Sequence, residues 1–315
     1  MPVGAGLEPS DFGQPCALER AVGTISRMML RALPFEAASL GKTGRVVRTG
    51  LVALPFLCPL VAGPSVNAWQ LFATWACVAG LLAMGAVARP AREILMWLAV
   101  SAIALVLSRH GALASSWLPA CAALAGAAAT ACLGAGMVRS SALGCSALAS
   151  GLLVAGLAST VLGLLQYYGL AEPLVPWTTS PAPGQAYGNL RQRNQFATLI
   201  SMAWVAALWL HAMHSSMRVR RGLMVAALLL LVAAAASTSR TGLLQLLSII
   251  GVAALIAKRE RKGARSEEAR TRPQLPSPLL LLSSIPLYFI IAWALPQLVD
   301  GGSGCVESML QRLHT

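Results

Sequence analysis

Apolar residues in this chain do not alternate with polar ones; they run together. Nine such runs lie near 49–66, 70–88, 93–108, 115–137, 142–167, 195–215, 222–238, 241–257 and 276–298. Most approach the about 20 residues that an α-helix needs to cross a bilayer core. A helix that is apolar all round belongs in lipid or in the centre of a large protein. The pattern predicts an all-α polytopic membrane protein with about nine transmembrane helices. It also predicts three regions: a basic tail over 1–48, a transmembrane domain over 49–298 and a second tail over 299–315.

Composition leads to the same place. Hydrophobic residues make up 57% of the 315-residue chain and charged ones only 11%, with a mean hydropathy of +0.68. A soluble domain carries about 25% charged residues. With fewer than half of that, the chain cannot cover a water-facing surface, so two soluble domains are excluded as the reading of its length.

Details within the runs sharpen the picture. The first run is interrupted by Pro55, Pro59 and Pro64, and neighbouring helices must satisfy the backbone groups these prolines release. The fourth and fifth runs are rich in Ala, Gly and Ser. Small residues let helices approach closely in lipid, which predicts that both lie inside the bundle. Cys58, Cys77, Cys121, Cys132 and Cys145 fall within apolar runs and read as small buried residues. Cys305 stands alone near the end, so neither a disulfide framework nor a zinc site follows.

The net charge is +13. In a soluble protein that would suggest nucleic acid, but no basic stripe with interleaved aromatics is present. The positive residues sit in the short connections between runs, which is a topology signal. With the N-terminus in the cytoplasm, 19 of the 24 Lys and Arg residues fall on the inner side, including the seven between Lys258 and Arg272. Nine spans then place the C-terminus in the periplasm of a bacterial inner membrane. Five arginines (Arg109, Arg191, Arg193, Arg240 and Arg312) fall on the outer side, against the rule.

Three of those five lie in two motifs. The longest outer loop, about Tyr168 to Asn194, carries Pro173, Pro176, Pro181 and Pro183. It ends in Gly188-Asn189-Leu190-Arg191-Gln192-Arg193-Asn194-Gln195-Phe196-Ala197, which leads directly into a span. Amides and guanidiniums dominate this stretch, and such groups donate to phosphate and sugar oxygens. The same residue types also suit an interfacial anchor at a helix start. The second motif, Ser237-Thr238-Ser239-Arg240-Thr241-Gly242, joins two runs with almost no loop, at the same membrane level. An arginine this close to hydrocarbon is costly and marks a functional site by default, although snorkelling to headgroups is the plainer alternative.

These motifs resemble those of the protein glycosylation ligases, or O-oligosaccharyltransferases, of the wider O-antigen ligase and polymerase superfamily. Gly188 to Ala197 resembles the family's Gly-x-x-x-Gln-x-Asn-x-x-Ala signature. Ser239-Arg240-Thr241-Gly242 is similar to its Ser-Arg element, and Pro55-Phe56-Leu57-x-Pro59 to its first-span pattern. The resemblance covers about 46–300. It implies transfer of a preassembled glycan from an undecaprenyl-pyrophosphate donor to an acceptor hydroxyl, a protein Ser or Thr or a lipid, at the periplasmic face. It implies no nucleotide sugar, metal or other cofactor. By the same resemblance Arg191, Arg193 and Arg240 are candidates for the pyrophosphate, where positive charge would stabilise the leaving group. Gln192 and Asn194 would hold the glycan or organise the loop. No catalytic base is identified. Family members continue into a large periplasmic loop with a catalytic histidine and further spans, whereas this chain ends at Thr315 with His314 in no matching motif. The resemblance therefore implies a truncated member, inactive as a ligase on its own.

Other chemistry is less well supported. His211 and His214 share a helical face, but without a partner histidine at their depth they read as interfacial residues. The main rival function is binding or transport of lipid-linked saccharides. Ion-coupled transport usually relies on acidic residues within spans, and the eleven acids here lie in tails, loops or span ends.

Overall fold

A computed structural model describes residues 42–58, 68–84, 87–88, 90–108, 117–140, 142–190, 192–263 and 275–299. Among them the chain is all-helical. Nine α-helices follow one another: α1 Lys42–Leu57, α2 Ala68–Ala83, α3 Arg92–Leu107, α4 Trp117–Ser140, α5 Ala142–Tyr167, α6 Arg193–Met213, α7 Met217–Ala236, α8 Arg240–Gly263 and α9 Pro278–Val299. A 3-10 turn at Glu172–Leu174 interrupts the long connection between α5 and α6.

Six of these helices, α4 to α9, are long and apolar enough to cross a membrane. The first three have 16 residues each. At 1.5 Å per residue that is about 24 Å, short of the about 30 Å hydrocarbon core. The apolar runs located the helices but not their ends. Helix α7 begins at Met217 and takes in Arg218, Arg220 and Arg221, while α8 continues through Lys258 to Gly263. Lys and Arg are good helix formers, so a helix continues into the charged border where hydropathy stops reporting it. In the same way α1 starts at Lys42 and includes Arg45 and Arg48, which hydropathy alone leaves in the tail.

The ends of neighbouring helices meet. Arg48, buried in α1, donates from Nη2 to the Met84 carbonyl just past α2 at 3.1 Å, so α1 and α2 form an antiparallel hairpin. A cation suits that position because the last carbonyls of a helix carry partial negative charge. The Ala88 amide, just ahead of α3, reaches the Cys132 carbonyl late in α4. Trp117 at the start of α4 donates to the Leu105 carbonyl near the end of α3. Successive helices therefore reverse direction.

Helix α5 is the hub, packed against α1, α4, α6 and α7. Its glycines explain how. A Cβ at Gly151 would lie 2.6 Å from Val52 Cβ, one at Gly163 would lie 2.7 Å from Phe196 Cζ, and one at Gly156 would collide with Ala203. These positions let α1 and α6 lie against the α5 backbone, as expected of a small-residue span. The expectation for α4 is corrected. Only 22% of its span is inside the protein, against 44% for α5 and 67% for α6. Small residues permit close approach without specifying which helix is approached. Cys58, Cys77, Cys121, Cys132 and Cys145 are free thiols.

Candidate functional site

The site lies where the C-terminal ends of α1, α5 and α7 meet the N-terminal ends of α6 and α8. Its framework is a single side chain. Gln166, fully buried one residue before α5 ends, makes five hydrogen bonds. Its Nε2 donates to Thr178 Oγ1 at 2.9 Å, to the Gly188 carbonyl at 3.0 Å and to the Thr179 carbonyl at 3.2 Å. Its Oε1 accepts from the amides of Gly188 at 2.8 Å and Tyr187 at 3.1 Å. One amide thus replaces the partners that buried loop backbone would otherwise lack. Two further bonds, from the Gly184 amide to the Tyr167 carbonyl and between Thr179 Oγ1 and Tyr187 Oη, hold the same loop.

Gly188, the first residue of the signature stretch, has φ +56°. That left-handed conformation favours glycine. The fully buried Phe196 ring lies between Gly188 and Gly163, and it is Gly163 whose missing side chain makes room for it. Asn189 is 99% buried by its 1% exposure and directs Nδ2 toward the Leu57 carbonyl at 3.5 Å, at the end of α1. Among the described residues its Oδ1 is buried without a partner, as is Ser159 Oγ. The chain then turns through exposed Gln192, which precedes α6 in extended conformation.

The two motifs meet. Ser239 Oγ donates to Asn194 Oδ1 at 2.8 Å, and Arg193 Nη1 reaches Thr238 Oγ1 at a long 3.5 Å. Ser239 also accepts from the Gly242 amide at 3.1 Å, so it is the N-cap of α8 and satisfies one of that helix's orphan donors. Gly242 has a packing role: a Cβ there would lie 2.6 Å from Ala197 Cβ, so its hydrogen lets the starts of α6 and α8 touch. One turn further along, Gln245 Nε2 donates to Thr198 Oγ1 at 3.1 Å. Thr238, in the turn, has φ +49°. For a β-branched residue this is a strained conformation, of the kind that clusters at functional sites.

Of the five residues expected from sequence, Arg193 and Asn194 are joined to the second motif. Arg240 is exposed at the first position of α8, and Gln192 is exposed at the cap of α6. Arg191 lies outside the described residues, as do Arg109, His110, Cys305, Arg312 and His314. Arg193 and Arg240 are the first residues of their helices. A helix N-terminus already carries about half a positive charge, and a cation is disfavoured there. Two arginines and two helix N-termini at one end make an arrangement that favours an anion. Gln166 is the residue that sequence reasoning missed. The only signal for it was a glutamine inside an otherwise apolar span.

His211 and His214 lie at the opposite end. His211, in the last turn of α6, is buried and its Nε2 accepts from Arg220 Nε at 3.3 Å, whereas His214 is exposed and turns Nδ1 to the Leu210 carbonyl at 2.8 Å. Among the described residues no cluster of three His, Cys, Asp or Glu side chains stands close enough to hold a metal ion.

Fold and site together define an all-helical, multi-pass membrane protein with two arginine-led helix starts at its polar end. Residues 186–211 match the family model described as protein glycosylation ligase. That stretch runs from the Gln166-held loop through the signature and nearly all of α6, and it supports a protein glycosylation ligase-like function. No curated protein and no solved structure matches the chain.

Proposed function

We propose that this protein binds an undecaprenyl-pyrophosphate-linked glycan at the periplasmic face of a bacterial inner membrane and serves its transfer to an acceptor hydroxyl, a protein Ser or Thr. The observation that carries the reading is the Ser239–Asn194 hydrogen bond at 2.8 Å. It joins the signature stretch to the Ser-Arg turn and puts two helix N-termini, with Arg193 and Arg240, at one membrane end. A pyrophosphate needs such an end, with paired positive charge and amide donors at hydrocarbon depth. Gln192 is available to the sugar, and Arg191 belongs to the same stretch. In this reading α1, α2 and α3 also cross the bilayer, giving nine spans with the N-terminus inside and the C-terminus outside. The antiparallel pairing of α1 with α2 and of α3 with α4 supports that count. The exposed basic residues Arg139, Arg218, Arg221, Lys258 and Arg259 at the other end support that orientation.

The test is a titration of the full chain in nanodiscs with an undecaprenyl-pyrophosphate-linked oligosaccharide. Each of Arg193→Ala and Arg240→Ala is expected to weaken binding about tenfold, the size of one charge-assisted hydrogen bond. Undiminished binding by the double variant would overturn the assignment. Movement of the glycan across the wall of vesicles reconstituted with the same chain, with no dependence on these arginines, would favour a transport role instead.

A further inference from the structure

The loop between α5 and α6 contains a second, separate feature. Segment 168–178 leaves and returns to the same place. At its start the Leu170 amide bonds to the Leu165 carbonyl at 2.7 Å and the Gly169 amide to the Gln166 carbonyl at 3.0 Å. At its end Thr178 Oγ1 accepts from Gln166 Nε2 at 2.9 Å. Its two roots, Ala171 and Thr178, are buried. Among the described residues the chain between them is held by local bonds, such as Leu174 amide to Ala171 carbonyl and Thr178 amide to Leu174 carbonyl. It is a small closed loop of the Ω kind.

The tip of such a loop is ordinarily polar, since it faces water. Here Leu170 is 62% exposed, Val175 53% and Trp177 52%, with Pro173, Leu174 and Pro176 exposed beside them. Glu172 is the single charge in the segment. The loop's position indicates what covers these side chains. Its neck is the last turn of α5, and the candidate span of that helix ends at Tyr167. The neck therefore stands at the hydrocarbon boundary, and the headgroup layer beyond it is about 5–8 Å deep. A tryptophan with proline and aliphatic neighbours at this depth is the composition of an interfacial anchor.

We propose that segment 170–177 is seated in the headgroup region of the adjacent leaflet, so that the bilayer itself is its partner. This does not depend on the ligase reading. It has a structural consequence: Gln166 binds the neck of this loop through Thr178 and the signature stretch through Tyr187 and Gly188. The lipid-seated tip and the first turn of the site thus share one clamp, and the loop fixes the depth of the site against the headgroups.

The experiment uses the full chain in nanodiscs. Its tryptophan emission is compared with that of Trp177→Phe, in lipids brominated either near the head end or in the middle of the acyl chain. The wild-type minus variant difference isolates Trp177, and it is expected to be quenched more by head-end bromine than by mid-chain bromine. In a cysteine-free chain, a spin label at Val175 is expected to relax with oxygen more than with a water-soluble nickel chelate, approaching a label at lipid-exposed Val154. Absence of bromine quenching, with free access for the nickel chelate, would overturn the proposal. Protection that develops only when an acceptor protein is added would overturn it as well, and would mark a protein-docking surface.

Discussion

The two membrane ends of this protein use polar residues in opposite ways. At the end away from the site, Arg139, Arg218, Arg221, Lys258 and Arg259 are exposed on helix termini, with long stems that reach water or headgroups. At the site end the buried polar groups are neutral amides and hydroxyls, whereas those buried at the other end include Arg48 and His211. Gln166, Asn189, Thr178, Ser237 and Ser239 are almost inaccessible and bond to one another or to backbone. The charges at one end say which side of the membrane it faces. The amides and hydroxyls at the other end set the shape of a loop and hold two helix starts in register. Among the described residues, positive charge there sits at the helix starts, on exposed Arg240 and partly buried Arg193. The cost of removing a polar side chain should therefore depend on the end it occupies more than on its charge.

Gln166→Leu is the largest test of that asymmetry. The substitution keeps the volume approximately and removes five hydrogen bonds. The amides of Tyr187 and Gly188 and the Gly188 carbonyl would lose their partner, and each stranded buried group costs about 1–3 kcal/mol. The expected loss is on the order of 3 kcal/mol or more, read as a fall in the thermal midpoint of the detergent-solubilised protein. Limited proteolysis should then open the chain between 168 and 192 before any span. A loss below about 1 kcal/mol would mean that this loop holds its shape without the clamp.

That clamp was also the part least legible in the sequence. The helices were readable because burial in lipid leaves a continuous apolar record, and the run at 142–167 matches α5 Ala142–Tyr167 to the residue. The meeting of Asn194 with Ser239 was legible as a shared membrane level, since both motifs open a span. Gln166 was not, because most of its partners are backbone groups 13 to 22 residues away. A side chain that bonds to backbone imposes no residue type on its partner and leaves no pattern. The glycines of the site were readable as motif letters but not as functions. Only the structure shows that Gly242 admits Ala197 and that Gly188 takes a left-handed backbone. The place of α4 was misread for a related reason: its alanines and glycines record permission to pack, and the partner lies in the fold.

Ser239→Ala separates two roles that the Ser-Arg turn combines. The hydroxyl caps α8 through the Gly242 amide and ties α6 through Asn194. Loss of an N-cap costs about 1 kcal/mol, and loss of the second bond a similar amount. Ser239→Asp in an Asn194→Ala background would keep the cap without the tie, since Asn194 could otherwise flip and donate Nδ2 to the carboxylate. Ser239→Ala is expected to lower stability by about 2 kcal/mol. If the double variant recovers none of it, the bond between the two motifs dominates. If the double variant recovers most of it, the turn matters chiefly as a helix start.

The smallest effect should come from the other end. Arg218 and Arg221 are both exposed in the first turns of α7, where a cation opposes the helix dipole. Removing them takes away no buried partner, so Arg218→Ala with Arg221→Ala should change stability by less than about 0.5 kcal/mol and can even raise it slightly. Their contribution is made during insertion, when positive residues near a span hold it to the inner side. The double variant should therefore fold with an unchanged thermal midpoint. It should show a measurable fraction of molecules with the α6–α7 connection on the wrong side, read by labelling of a cysteine placed at Ser215 with a membrane-impermeant reagent. A large stability loss with intact topology would show that these exposed arginines hold the fold together, and the contrast between the two ends would fail.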